Sequence, residues 1–119
     1  MNITLLFIIL IVLLRIIFPG YSLFYVDLST IQNADRGLFS RGFVKSGTFL
    51  FTGIEDYKVT AYASMVNHCS KKPNSKLVRS NDSVYNIYAI GDIQPNQELL
   101  IDYNYTPDFI DKPSPEWTC

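Results

Sequence analysis

Residues 89–105, AIGDIQPNQELLIDYNY, decide how this chain folds, together with residues 65–74, MVNHCSKKPN. Val84 to Ile90 overlaps the start of the first stretch and is rich in β-branched and aromatic residues, which predicts a strand. Glu98 to Tyr103 predicts a second strand, and a glycine and a Pro-Asn pair interrupt the chain between the two. We therefore expect a hairpin or a meander in this part of the chain.

Tyr103 and Tyr105 lie two positions apart at the end of the second predicted strand. On an extended chain, side chains two apart face the same side of the sheet, so both phenols could line one wall of a pocket. The spacing is equally compatible with an ordinary aromatic pair in a β core, because tyrosine is common in strands.

Length and charge limit the classes of protein that this chain can be. It has 119 residues, enough for one domain, and its formal net charge is -1, with 10 Lys and Arg against 11 Asp and Glu. Because no strong positive field is present, we expect no direct binding of nucleic acid. The two cysteines, Cys69 and Cys119, lack metal-ligand spacing, which predicts no structural zinc, and a disulfide between them stays open.

The N-terminus is apolar from Leu5 to Leu14, and residues 3–18 contain one charged residue, Arg15. A membrane span needs roughly 20 apolar residues, so this segment is short for a signal anchor or single span. One alternative for this segment is a cleaved signal peptide. Another is a hydrophobic helix that packs on the domain, or one that was left by an altered gene start. If residues 3–18 span a membrane, the arginines on the C-terminal side predict a cytosolic domain. Otherwise we expect a soluble intracellular protein. In either case residues 1–23 form the hydrophobic segment and residues 24–119 form the domain.

The two stretches resemble the signature motifs of SET-domain protein lysine methyltransferases, which run close to AIxDIxPGEELxxDYxY and NHSxxPN. Phe24 to Ser40 resembles the start of the same domain, and the terminal PEW resembles a branch that mono-methylates histone and other lysines. The resemblance covers about Phe24 to Trp117. It implies a mostly β fold of several short antiparallel sheets with a knot-like C-terminal core, here preceded by a hydrophobic N-terminal helix.

The resemblance implies that S-adenosylmethionine is the methyl donor and that no metal takes part. Trp117 would stack on adenine, although a tryptophan in a tail can also serve only as an anchor. His68 is the only histidine and would contact the cofactor through hydrogen bonds, without acting as an acid or base; a structural role is its alternative. The cofactor-binding residues implied by the resemblance are Asp35, Arg36, Gly37, Leu38, Asn67, His68 and Trp117.

The same resemblance assigns the catalytic role to Tyr103, which would orient the substrate amine. Phe51 and Tyr105 would line the channel for the target lysine. The implied partner is a protein that presents a lysine, either a histone or another basic tail, and residues 3–18 add a membrane as a second expected partner.

Four departures from the family pattern are visible. Asp35 replaces the first glycine of a GxGLF motif, Phe51 replaces a tyrosine, and the loop NHCSKKPN is one residue longer than NHSxxPN. Only thirteen residues, 54–66, stand where the family usually has a much longer insert, and the helical spacing of apolar residues in 57–65 predicts one short helix there. These departures keep open an alternative: a degenerate, catalytically inactive SET domain that acts as a membrane-tethered binding module.

Overall fold

A computed structural model describes residues 2–17, 22–115 and 119. Its only α-helix in those ranges, α1, spans Ile3–Ile17, and the apolar side chains described along it are exposed. Within the same ranges no helix is both long and apolar enough to cross a membrane, so the predicted span has no support. Trp117, to which the resemblance gives a cofactor contact, lies outside the described residues.

The rest of the described chain is built from short strands and two 3-10 turns, which confirms the predicted mostly β fold with an N-terminal helix. A two-stranded antiparallel sheet stands beside a six-stranded sheet with the order β4-β3-β7-β6-β8-β5. The strands are β1 Phe24–Leu28, β2 Arg36–Ser40, β3 Phe49–Glu55, β4 Lys58–Val59, β5 Asn67–His68, β6 Ser75–Arg79, β7 Tyr85–Ala89 and β8 Leu100–Ile101. The 3-10 turns are Ala63–Met65 and Tyr103–Tyr105.

The last strand passes between two earlier ones. β8 pairs in parallel with β5 on one side and with β6 on the other, so the chain is threaded past the loop that joins β5 to β6. Asn74 at the end of that loop holds β8 in place: its side-chain amide donates to the Glu98 carbonyl at 2.8 Å, and its Oδ1 accepts from the Leu100 N–H at 2.9 Å. This arrangement is the knot-like core that the resemblance implied.

A disulfide closes the same region. Cys69 is bonded to Cys119 with a Cα–Cα distance of 5.4 Å across a sequence separation of 50 residues. Cys69 is fully buried and its N–H donates to the Ile101 carbonyl at 3.0 Å. The C-terminus is therefore attached covalently to the loop past which β8 is threaded.

The hydrophobic core contains residues from both sheets, and its packing is tight at Gly53. A Cβ atom at Gly53, in β3, would lie 2.7 Å from a methyl carbon of Leu77 and 2.8 Å from Ile87, so no side chain fits there. The core cluster contains Phe24, Leu38, Val66, Ile87, Ala89, Ile93, Leu99 and Ile101.

The helix predicted for residues 57–65 is wrong. Asp56 and Tyr57 have φ angles of 54° and 62°, which make a two-residue turn that folds β4 back onto the end of β3. Only Ala63–Met65 forms a single 3-10 turn. The apolar spacing had the helical period, but the left-handed turn at its start prevents a helix.

The predicted hairpin between Val84–Ile90 and Glu98–Tyr103 is also wrong. β7 pairs with β3 and β6, and β6 lies between β7 and β8 in the sheet. β8 ends at Ile101, before the predicted end at Tyr103, because the Asp102 side chain accepts a hydrogen bond from the Asn104 N–H at 3.0 Å and caps a 3-10 turn.

Candidate active site

Tyr103 is the first residue of the 3-10 turn, and Asp102 separates it from the end of β8. Its N–H donates to Nδ1 of His68 at 3.0 Å, and its hydroxyl donates to the carbonyl of Val66. Both partners belong to the segment that leads into and forms β5, so β5 fixes the backbone and the phenol of Tyr103 together. Burial raises the pKa of Tyr103 above its ordinary value, and the side chain is therefore a neutral phenol near pH 7.

One side of Tyr103 borders a cavity of about 350 Å³ that we call the polar cavity. Its other walls are residues 31–34, which follow β1, and the side chains of Asn67 and His68 on β5. Amide, imidazole and phenol groups thus surround a volume within the usual range of small-molecule sites.

A second cavity of about 350 Å³, the apolar cavity, borders Tyr103 as well. Aliphatic side chains such as Leu77, Ile87 and Ile101 line it, and residues 109–111 of the C-terminal tail form part of its wall. Among the described residues, Tyr103 alone lines both cavities. Tyr103 is therefore a wall residue that the two cavities share.

His68 is held in one tautomer by this arrangement. Its Nδ1 accepts the Tyr103 N–H, and a neutral imidazole with an accepting Nδ1 carries its proton on Nε2. The ring centroids of His68 and Tyr103 are 5.4 Å apart. His68 thus positions Tyr103 through its ring nitrogen and also lines the polar cavity, and its contact with a cofactor stays a prediction.

Glu98 is a buried carboxylate that the sequence did not single out. It accepts hydrogen bonds from the Ser29 hydroxyl at 2.7 Å, from the Thr30 N–H and hydroxyl at 2.7 and 2.6 Å, and from the Asn67 amide at 3.0 Å. Burial by itself raises the pKa of Glu98, but the hydrogen bonds from Thr30, Asn67 and Ser29 together outweigh it and leave the pKa below 4.5. The charged carboxylate ties the loop after β1 to β5, and hence joins two walls of the polar cavity.

The sequence did contain a signal for Glu98. This residue precedes an apolar pair, Leu99 and Leu100, in a segment predicted to be a strand. A carboxylate in such a place needs donors that compensate for its lost hydration, so it indicates a hydrogen-bonded cluster even though its partners cannot be named from the sequence.

Gly37 is required by the same cluster. A Cβ atom at this position would lie 2.2 Å from Oε2 of Glu98 and 3.2 Å from the Asn67 amide nitrogen. Real side chains do not approach so closely, and only glycine leaves room for the carboxylate. The predicted reason for this glycine was a cofactor contact, whereas the observed close neighbours are Glu98 and Asn67.

The predicted cofactor residues fall into two groups. Asn67 and His68 line the polar cavity, whereas residues 35–38 do not, and the cavity wall is formed by the preceding residues 31–34. Asp35 has a φ angle of 65°, the left-handed conformation that a glycine would adopt readily. The glycine of the GxGLF motif would adopt this conformation with less strain than Asp35 does.

The predicted channel residues are not brought together with Tyr103. Phe51 packs edge-on against Phe24 and Tyr62, with ring centroids 5.3 and 5.4 Å apart. Tyr105 is the last residue of the 3-10 turn and is 84% exposed. Neither residue lines the polar or the apolar cavity.

Metal ligands do not cluster in the described part of the chain. Across residues 2–17, 22–115 and 119, no group of three or more His, Cys, Asp and Glu side chains could hold a metal ion. Both cysteines are used by the disulfide.

Comparison with known proteins gives a consistent assignment of the fold. Residues 52–104 match the family model described as SET domain. The chain is similar to a proposed histone methyltransferase of Plasmodium falciparum, with 21% identity and a TM-score of 0.57 over 72% of this chain and 96% of that one. It is also similar to two inhibitor-bound forms of a humanized mutant of the Chaetomium thermophilum Polycomb Repressive Complex 2, with 17% identity and a TM-score of 0.56.

The match to the Polycomb complex covers 76% of this chain but only 16% of that one. No curated protein matches the sequence. At these levels of identity the solved structures establish the fold alone.

Proposed function

We propose that this chain, which carries a SET domain over residues 52–104, is a protein lysine methyltransferase that takes the methyl group from S-adenosylmethionine. The observation that supports the proposal is the position of Tyr103 between the polar and the apolar cavity. A transfer between two substrates requires donor and acceptor to meet in line, and sites that hold both in this way recover several kcal/mol of the barrier. Two adjoining cavities of different polarity suit such a pair.

The polar cavity fits the cofactor in size and in chemistry. Its volume of about 350 Å³ is in the range of small-molecule sites, and Gln32, Asn33, Asn67 and His68 offer donors and acceptors to a ligand with amino, carboxylate and hydroxyl groups. When bound, S-adenosylmethionine supplies a methyl group activated on a sulfonium. Asn67 and His68 would hold the ligand, and the Glu98 cluster would keep Asn67 in its orientation.

The apolar cavity suits the side chain of lysine. Its aliphatic lining would enclose the methylene groups, and loss of hydration inside an apolar site lowers the pKa of an amine. A free lysine has a pKa of about 10.4, so some such shift is needed to give the neutral amine that accepts a methyl group. The proton would leave to solvent before the transfer.

Tyr103 would orient the amine. Its hydroxyl donates to the Val66 carbonyl, and a hydroxyl oxygen can also accept a hydrogen bond. By accepting an N–H of the substrate, the oxygen would direct the amine lone pair toward the polar cavity. Because its pKa is raised, the phenol would keep its proton and act by positioning, not as a base.

The rival candidate is a degenerate SET domain that binds cofactor or partner without turnover. The observation in its favour is that Phe51 and Tyr105 lie outside the apolar cavity, so no wall of three aromatic residues surrounds the amine. A weaker channel would position the amine less strictly.

The experiment that separates the two uses the full chain. Calorimetric titration with S-adenosylmethionine would be followed by a methyl-transfer assay on histones. We expect binding and transfer. Binding without transfer would favour the inactive domain, and absence of binding would contradict both cofactor-based candidates.

A further inference from the structure

We propose that Asp111 is a specificity-determining residue, which pairs with a basic residue that flanks the target lysine in the substrate. The inference rests on the proposed function and extends it to the choice of substrate. It starts from the wall of the apolar cavity that the C-terminal tail provides.

The C-terminal tail lines the apolar cavity together with the short segment 54–66. Residues 54–66 are few, and they form a hairpin and one 3-10 turn. Phe109, Ile110 and Asp111 complete the lining of the apolar cavity beside this short segment. A peptide whose lysine enters the cavity would therefore contact the tail.

Two contacts hold the tail in that position. The ring of Phe109 packs edge-on against Tyr57 and Tyr85, with centroids 5.6 and 6.1 Å apart. The ammonium group of Lys112 donates to the Thr106 carbonyl at 2.6 Å, which closes residues 106–112 into a compact turn. Asp111 is thus presented at the cavity by a segment with its own fixed geometry.

Among the described residues that line the apolar cavity, Asp111 is the one that carries a charge. It is exposed, and no cationic side chain of the described residues lies within 4.0 Å of its carboxylate. The neighbouring Lys112 directs its ammonium group to Thr106 instead. The rim of an apolar cavity therefore carries a negative charge with no partner from the described chain.

A basic residue beside the target lysine is a better partner for this charge than the target itself. A carboxylate next to the target amine would stabilise the ammonium form and raise its pKa, which opposes methyl transfer. Tyr103 is half-buried, whereas Asp111 is exposed, so the carboxylate belongs to the entrance. Charges at an exposed rim act mainly on encounter and on partner choice.

The test compares Asp111→Asn with Asp108→Asn, an exposed acid on the same turn that does not line the cavity. The probes are two short peptides with one lysine each, flanked by arginines in one and by glutamines in the other. An exposed ion pair contributes up to about 1 kcal/mol, which is roughly five-fold in affinity. We expect Asp111→Asn to raise KM two- to five-fold for the arginine-flanked peptide alone, with kcat unchanged, and Asp108→Asn to change neither peptide.

Peptide binding is also measured by fluorescence anisotropy in the absence of cofactor. This measurement tests the role of Asp111 independently of methyl transfer. If Asp111→Asn selectively weakens binding of the arginine-flanked peptide in a chain that transfers no methyl group, the pairing of Asp111 with a basic residue of the peptide stands and the proposed function fails. If methyl transfer occurs but Asp111→Asn affects both peptides equally, or no more than Asp108→Asn does, the inference is overturned. Failure of the wild-type chain to bind either peptide overturns it too.

Discussion

The disulfide between Cys69 and Cys119 should contribute a large share of the stability of this small domain. A cross-link stabilises mainly by restricting the unfolded chain, and the effect grows with the length of the loop that it closes. For a separation of 50 residues, the chain-entropy relation gives about 4 kcal/mol. Because domains are stable by only about 5 to 15 kcal/mol, its loss should be easy to measure.

Cys119→Ser is the appropriate variant. Cys119 is only partly buried, whereas Cys69 is fully buried, so a substitution at Cys69 would add the cost of a cavity or of a buried hydroxyl. Urea unfolding of wild type and variant should give free energies that differ by about 4 kcal/mol. With a slope of about 2 kcal/mol per molar urea, the midpoint should fall by roughly 2 M.

Reduction supplies the control. A thiol reductant should lower the midpoint of the wild type to that of Cys119→Ser, and it should leave the variant unchanged. If the oxidised and reduced wild-type proteins unfold at the same urea concentration, the cross-link does not restrict the unfolded chain and the reasoning from loop length is wrong.

Two further substitutions test the carboxylate cluster behind the polar cavity. Gly37→Ala would bring a methyl group within 2.2 Å of Glu98, and we expect it to lower the free energy of unfolding by about 1 to 3 kcal/mol. Gly42→Ala is the control and should change the free energy of unfolding little, because no atom lies within 4 Å of a Cβ at that position. Equal effects of the two substitutions would refute the packing argument. The lowered pKa of Glu98 means that its charge stabilises the fold above about pH 4.5 and that this stability is lost as the pH falls through the folded pKa. Urea unfolding at several pH values should therefore show a steeper decline below about pH 4.5 for wild type than for Glu98→Gln, and parallel declines would show that another group is responsible.

Local sequence was sufficient for the strands with strong β composition. Val84 to Ile90 was predicted as a strand and β7 covers Tyr85–Ala89, because branched and aromatic residues there leave few alternatives. The knot-like core could be predicted only from the resemblance to the family. No periodicity of apolar residues in the sequence indicates that β8 lies between β5 and β6.

The errors have physical causes that act beyond the local pattern. Tyr57 adopts a left-handed conformation that is unusual for a bulky residue, and this turn replaced the predicted helix. The assumption of an extended chain at Tyr105 failed because the Asp102 side chain caps a 3-10 turn. The partners of Glu98, Ser29 and Thr30, lie 69 and 68 residues away in sequence, so the cluster exists only in the folded chain.

The central claim is that Tyr103 orients an amine for methyl transfer from the adjoining polar cavity, and Tyr103→Phe tests it most directly. The substitution removes the hydroxyl and keeps the ring, so an interaction made only in the transition state would be lost while ground-state binding remains. Methyl transfer should fall by at least about ten-fold, or about 1.4 kcal/mol of barrier, while S-adenosylmethionine binds within a few-fold of wild type. Tyr88 packs on Phe49 and lines neither cavity, so Tyr88→Phe is the control. This control substitution should change neither methyl transfer nor the binding of S-adenosylmethionine. Undiminished transfer by Tyr103→Phe, or an equal loss of binding and transfer, would contradict the claim.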